Sequence, residues 1–319
     1  MAERGDSRWA GRNGAKAAIR DRVWSGLVEA QVNIGPAYDR IPNFVGADLA
    51  AKRLSELDEW RRARVIKCNP DPPQIAVRLR ALYDGKLLFS PVPYLTKGFP
   101  YLRIDPDKLA ANGVDFETAA TAQGFMEHGE AIGFEDMPRL DFCVVGCVAV
   151  TRLGGRTGKG AGFADLEQGI FRELGLVSPA TPIATTVHSS QVVADSEVVM
   201  ESHDSALHFI ATELELIATR TPHPQPEGVD WDKVRPDQFT DIPFLSALRH
   251  TIERSNRTTL APTVLKQLPP RADAASPPGL PSSAASSDDR PAFRRCPAAD
   301  RRRLRRAAGR SVDQGRTHR

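Results

Sequence analysis

Cysteine is scarce, with four in 319 residues, too few for a disulfide scaffold. Cys143 and Cys147 fall in a stretch that reads as strand, where four steps of about 3.3 Å set their Cα atoms roughly 13 Å apart, beyond the reach of a bridge. Cys68 is solitary and Cys296 has no histidine near it, so no zinc site is expected. Long apolar runs are missing too. The longest, 142–150, is nine residues interrupted by Gly146, against roughly 20 for a membrane span, and no membrane contact is expected. The opening MAERGDSRWAGRNGAK has no apolar segment of the kind a secretory signal needs; the expectation is a cytoplasmic protein. What is present, 41% hydrophobic and 26% charged residues, suits a soluble globular chain and excludes a wholly disordered or collagen-like one.

The net charge of +3 hides two opposed parts. Residues 266–319 hold 13 Lys and Arg against five Asp, whereas the preceding 265 residues hold 30 basic and 35 acidic side chains. The body, 1–265, therefore has no general reason to bind nucleic acid. The segment 266–319 combines Pro, Ser and Ala with arginine runs and has no workable periodicity, and it reads as a disordered tail. Its arginines could contact RNA or DNA by counterion release, but an incidental low-complexity tail is the preferred reading.

Within the body, 16–32 places Ile19, Val23, Leu27 and Ala30 on one helical face, with Lys16, Arg20 and Trp24 along one edge. A second amphipathic helix is predicted over 47–63. Strand 65–69, helix 72–84 and strand 86–90 then form a βαβ unit, which implies a parallel sheet covered by helices. The run 140–150 reads as its central strand, and 182–186, 197–200 and 208–212 as further strands. Residues 222–243 look like a long connection before a last helix over 244–254. The fold class is α/β.

The most chemically informative stretch, TRLGGRTGKGAGFADLE at 151–167, follows the predicted central strand. Gly154, Gly155, Gly158, Gly160 and Gly162 crowd into nine residues, and a helical pattern begins behind them. Strand, glycine loop and helix make a phosphate-binding arrangement, because glycines let backbone N–H groups converge on an anion and the helix adds its positive end. Arg156 and Lys159 add formal charge. A Walker A loop is excluded by Leu153 and Gly160, and a dinucleotide fingerprint by Phe163.

In this loop the chain resembles the 5-formyltetrahydrofolate cyclo-ligase family, whose hallmark G-x-R-[LI]-G-Y-G-G-G-Y-Y-D-R is kept at Arg156, Gly158, Gly160, Gly162, Phe163 and Asp165. The order of other elements agrees over about residues 15–217: Lys16 and Arg20 on the first helix, Gly85, Lys86 and Pro91, Asp141, Gln191, His203-Asp204, and the strand from Ile210 to Glu213. In detail it is similar to the divergent branch of methenyltetrahydrofolate synthetase domain-containing proteins. The resemblance implies a three-layer αβα architecture with a mainly parallel sheet, of the NagB/RpiA/CoA transferase-like type. It also implies ATP- and Mg²⁺-dependent closure of a reduced folate, 5-formyltetrahydrofolate, to 5,10-methenyltetrahydrofolate, with the formyl oxygen phosphorylated and then released as phosphate.

Positioning and charge neutralisation dominate such phosphoryl transfer. The resemblance casts Lys159 and Arg156 as catalytic, and Lys16, Arg20, Gly155, Arg156, Gly158, Lys159, Gly160 and Gly162 as ATP contacts. Asp165 and Asp204 are expected to hold Mg²⁺, with Phe163 covering the folate ring. The chain departs from the family at Lys159, Ala161, Ala164 and Leu166, which replace Tyr, Gly, Tyr and Arg. Where the family has an acidic substrate contact, the chain reads Asp71, Pro72, Pro73 and Gln74, and Gln74 is the substrate-binding candidate there. His188 reads as a strand-end or core histidine, His203 as a group that orients Asp204, Asp141 as a structural turn residue, and Lys67 as a solvated strand-end lysine. Two alternatives stay open: a non-catalytic nucleotide- or RNA-binding protein, and an ATP-dependent ligase for another acyl or formyl substrate on the same fold.

Overall fold

The structure, a computed structural model, describes residues 14–92, 101–242 and 244–258; the expected tail, 266–319, lies outside them. In chain order the strands are β1 (Asn33–Ile34), β2 (Asn43–Phe44), β3 (Val65–Cys68), β4 (Leu87–Pro91), β5 (Tyr101–Ile104), β6 (Glu130–Ile132), β7 (Phe142–Val144), β8 (Ala149–Thr151), β9 (Arg156–Thr157), β10 (Ile183–Thr186), β11 (Val192–Val193), β12 (Phe209–Ala211) and β13 (Leu216–Ala218). The helices are α1 (Gly14–Glu29), α2 (Ala47–Ser55), α3 (Asp58–Arg62), α4 (Ile75–Tyr83), α5 (Pro106–Ala111), α6 (Phe116–Ala119), α7 (Ala122–His128), α8 (Phe163–Glu173), α9 (Pro236–Asp241) and α10 (Leu245–Thr258).

Among the described residues the main sheet has eight strands in the order β13-β12-β10-β7-β3-β4-β5-β6. The five central strands run parallel, and antiparallel pairing begins at β13 on one edge and β5 on the other. Successive residues of a strand point to opposite faces, and the core divides accordingly. Ile66, Cys68, Leu88, Phe142, Val144 and Ala184 join one cluster with Ala50 and Leu54 of α2, Val77 and Leu82 of α4 and Phe125 of α7. Their neighbours Phe89, Cys143, Val145 and Ile183 join a second cluster with Phe171 of α8. Helices therefore cover both faces, and the αβα layering with a mostly parallel sheet is as expected.

The βαβ unit is β3, α4 and β4, with a short 3-10 turn at Pro72–Gln74 leading into α4. Four expectations need correction. The helix expected over 47–63 is two helices, α2 and α3, separated by the non-helical Leu57. The run 140–150 is two strands serving different cores: β7 stays in the main sheet, whereas β8 pairs with β9 and β11 in a small sheet. There Val148 and Ala149 pack under Ile19, Val23 and Leu27 of α1. The break falls at Gly146, where a Cβ would meet Asp71 Oδ2 at 2.8 Å and Ile41 at 3.0 Å, so any side chain there would make its neighbours shift. Residues 197–200 are not a strand; a 3-10 turn at Asp195–Glu197 leads into irregular backbone. The connection 222–243 contains α9, which starts on Pro236. No helix among the described residues is long and apolar enough to cross a membrane.

Candidate functional site

The strand order reverses direction at β3. From β3 the chain passes to β4 on one side, and it returns later to place β7 and then β10 on the other. In open parallel sheets this switch point leaves a crevice beyond the strand C-termini, where ligands bind. A cavity of about 590 Å³ lies there, with Asn69 and Asp71 after β3, Val92 after β4 and Gly146 after β7 in its wall.

The glycine loop forms another wall. Gly154 has φ of 88° and packs against the Leu207 carbonyl, which a Cβ would approach to 2.5 Å. Gly162, at φ 73°, turns the chain into α8. Between them, β9 presents Arg156, whose Nε donates to the Ser205 carbonyl at 2.8 Å and whose Nη2 pairs with Asp165 Oδ1 in the first turn of α8. The Ser205 backbone N–H donates to the same Asp165 oxygen at 2.8 Å. Burial works to lower the Arg156 pKa, but Asp165, Cys147 and Asp204 outweigh it, and the net shift is upward. The guanidinium is thus a fixed positive charge. From the far side Arg235 Nη2 and Gln238 Nε2 donate to the Ala161 carbonyl at 3.2 and 3.3 Å, so the segment read as a connection clamps the loop.

Helix α1 supplies two more cations, Lys16 and Arg20. Its apolar residues Ile19, Val23, Trp24 and Leu27 pack on the small sheet, and this docking carries Lys16 and Arg20 into the cavity wall. Lys16 Nζ pairs with Asp204 Oδ2 and lies 3.4 Å from Glu201 Oε2. Arg20 Nη1 donates to Thr157 Oγ1 at 3.3 Å, and burial lowers the Arg20 pKa. Lys159 Nζ lies 3.6 Å from Asp71 Oδ1.

The cavity therefore brings together Lys16, Arg20, Arg156, Gly158, Lys159, Gly160, Gly162, Phe163, Asp165 and Asp204, drawn from sequence segments almost 190 residues apart. Gly155 and Gln74 are not in its wall. Gly155 faces Thr151, its backbone N–H donating to Thr151 Oγ1 at 3.1 Å. Gln74 sits in the 3-10 turn before α4, fully buried, with Nε2 donating to Thr186 Oγ1 at 3.4 Å; the turn directs it into the protein interior. Lys67 also departs from expectation, being fully buried with Nζ 2.6 Å from Glu167 Oε2. Asp141 is structural as expected, accepting from the N–H groups of Arg64 and Val65. Gln191 is internal, with Nε2 donating to the Val148 carbonyl at 2.9 Å. His188 packs edge-on against Phe44. His203 Nε2 lies 3.7 Å from Asp204 Oδ1, beyond hydrogen-bond distance. Sequence reading missed Asn69, Glu167, Glu201 and Arg235 as wall residues; for Asn69 the signal was its place just past the first parallel strand.

Among the described residues, no cluster of three or more His, Cys, Asp or Glu could hold a metal by itself. Asp165 and Asp204 nevertheless share the cavity, and in each the hydrogen bonds fall on one oxygen, Oδ1 of Asp165 and Oδ2 of Asp204. That donor set fits a hard cation whose coordination is completed by phosphate oxygens and water, as Mg²⁺ prefers.

The profile of the 5-formyltetrahydrofolate cyclo-ligase family matches residues 12–213. The chain belongs to this family. Among relatives of this cyclo-ligase family member are the methenyltetrahydrofolate synthase domain-containing proteins of Homo sapiens, 38% identical over 239 residues, and Bos taurus, 36% identical over 247 residues. These alignments cover 74% and 76% of this chain but 61% and 64% of the relatives, so the chain spans less than two thirds of their length. A solved structure, the NMR structure of Aquifex aeolicus 5,10-methenyltetrahydrofolate synthetase, is 17% identical, with a TM-score of 0.42 over 64% of this chain and 93% of that one.

Proposed function

We propose that this cyclo-ligase family member converts 5-formyltetrahydrofolate to 5,10-methenyltetrahydrofolate with ATP and Mg²⁺. The observation that carries the reading is that the glycine loop, the cations Lys16, Arg20, Arg156 and Lys159, and the carboxylates of Asp165 and Asp204 all line one cavity. ATP would supply the phosphoryl group that makes the formyl oxygen a leaving group, and Mg²⁺ would neutralise phosphate charge. Lys16, Arg20 and Lys159 would neutralise phosphate charge, and the backbone of Gly158 to Gly162 would approach it closely. Arg156 holds the loop and Asp165 in register rather than reaching freely for substrate, because its Nε and Nη2 are both engaged. Asp165 and Asp204 would present their less engaged oxygens to Mg²⁺. Phe163 offers an apolar face for the ring.

The departures from the family motif have separate consequences. Leu166 packs with Ile170, Ile242 and Leu245 beneath α10, so the family arginine is exchanged for core. Ala164 and Lys159 both line the cavity, replacing two phenol faces with a small side chain and a charge. That observation favours, as the second reading, an ATP-dependent ligase for another acyl or formyl substrate. Release of ADP from ATP and Mg²⁺ tests the choice. The cyclo-ligase reading expects release that requires 5-formyltetrahydrofolate; the second expects ATP binding with no release on adding the folate.

A further inference from the structure

Beneath the cavity lies a buried polar network that the reading above does not use. Lys67 is 0% exposed and Glu167 2% exposed, and they form an ion pair of 2.6 Å. Tyr101, also 0% exposed, donates its hydroxyl to Glu167 Oε1 at 2.5 Å. Lys67 Nζ donates in addition to Asn69 Oδ1. Removing a lysine and a glutamate from water costs several kcal/mol per ion unless each is well paired, so the network needs a role or a close compensation. Its members differ in access: Asn69 and Glu167 reach the cavity wall, whereas Lys67 and Tyr101 do not.

The chemistry of the two hidden members fixes what the two visible ones present. An ammonium has donors only, so Lys67 selects the amide orientation of Asn69 with oxygen inward, which turns the Nδ2 group away from it. That Nδ2 donates to no group among the described residues. Burial, then Glu167, pushes the Tyr101 pKa well above its ordinary value, so its hydroxyl stays a donor to Glu167. Glu167 takes a hydrogen bond on each oxygen, Oε1 from Tyr101 and Oε2 from Lys67, so it faces the cavity as an acceptor. One ammonium bridges Asn69 and Glu167, which places a fixed donor and a fixed acceptor side by side.

We propose that Asn69 and Glu167, oriented by Lys67 and Tyr101, read a heterocycle edge on which an N–H donor adjoins an oxygen or nitrogen acceptor. Asn69 Nδ2 donates to the acceptor of that edge and Glu167 accepts from its N–H, a ring N–H in a pterin and an exocyclic amino group in adenine. The lactam edge of a pterin and the amino-pyrimidine edge of adenine share this pattern. The inference rests on the proposed function, since both rings belong to its substrates, and it makes Asn69 and Glu167 specificity-determining residues that no glycine-loop motif contains.

Asn69→Asp keeps an oxygen for Lys67 but exchanges the cavity-facing donor for an acceptor; Asn69→Ala removes the donor without adding charge. Equilibrium binding of 5-formyltetrahydrofolate and, separately, of a non-hydrolysable ATP analogue is measured with Mg²⁺ on the full chain, alongside thermal melting. The expected result is an affinity lower by about tenfold or more for one ligand in both variants, the loss expected when a site's hydrogen-bond partner is removed, with the other ligand and the melting temperature unchanged. Loss confined to the folate assigns the edge to the pterin, and loss confined to the ATP analogue assigns it to adenine. Unchanged binding of both, or equal weakening of both with a lowered melting temperature, overturns the proposal. Wild-type protein that binds neither ligand would bring down the cyclo-ligase reading and this one with it, whereas wild-type binding matched by both variants defeats the edge alone.

Discussion

Lys159 separates this chain from the family motif at the residue scale, and its effect is open to direct measurement. The side chain is 24% exposed and its Nζ lies 3.6 Å from Asp71 Oδ1. As a point charge beside the glycine loop it can stabilise negative charge that develops during phosphoryl transfer. Lys159→Ala is expected to lower kcat about 10- to 100-fold in steady-state assays of ADP release, with the melting temperature almost unchanged; an unaltered kcat would remove Lys159 from the chemistry. Single residues were the most legible scale where the motif is local. Lys16, Arg20, Arg156 and Asp165, which the resemblance implies as ATP or Mg²⁺ contacts, all line the cavity, the first two along one helix edge. Gln74 did not, since the 3-10 turn that points it inward leaves no trace in composition. Lys67 also escaped, because its partner Glu167 lies 100 residues away.

At the scale of elements, the loop before α8 holds three glycines at positive φ, Gly154, Gly160 and Gly162, and two of them make a test. A left-handed backbone costs a non-glycine residue roughly 1–2 kcal/mol. Gly162→Ala should cost about that much, because a Cβ there has nothing nearer than Gln238 Nε2 at 3.5 Å. Gly154→Ala should cost more, since its Cβ would also meet the immobile Leu207 carbonyl at 2.5 Å. Urea denaturation of both variants checks the order; equal losses would contradict the packing at Gly154. The βαβ unit was readable from its alternating periodicities. The run 140–150 was not read correctly, because a continuous apolar stretch does not say which core each residue enters. Here Cys143 and Val145 serve the main sheet while Val148 and Ala149 serve α1.

For the whole molecule, the layering makes stability depend on pH through a half-buried histidine. His208 Nδ1 accepts from the Ile183 N–H at 3.0 Å, tying β10 to the entry of β12. Burial, aided by Arg172, lowers its pKa below 6.5. Below that pH the unfolded chain binds the proton more readily than the folded one, so this contribution is complete above pH 6.5 and is lost as the pH falls. His208→Gln should melt lower than wild type at pH 7.5, with the gap narrowing towards pH 5; a gap that widens on acidification would reverse the assignment. The overall architecture was legible because parallel strands buried on both faces leave continuous apolar segments. The composition of the cavity wall was less so, since the switch point that places Asn69, Asp71 and Gly146 together is a property of strand order.

The central claim is that one cavity couples ATP to closure of the folate ring. The most direct measurement follows the rise of methenyltetrahydrofolate absorbance when the full chain is mixed with 5-formyltetrahydrofolate, ATP and Mg²⁺, with Asp165→Ala in parallel. The expected result is a rise that requires ATP and is lost in Asp165→Ala, whose carboxylate anchors Arg156 and faces the proposed metal. No rise from wild-type protein that binds ATP, or a rise that Asp165→Ala leaves intact, would contradict it.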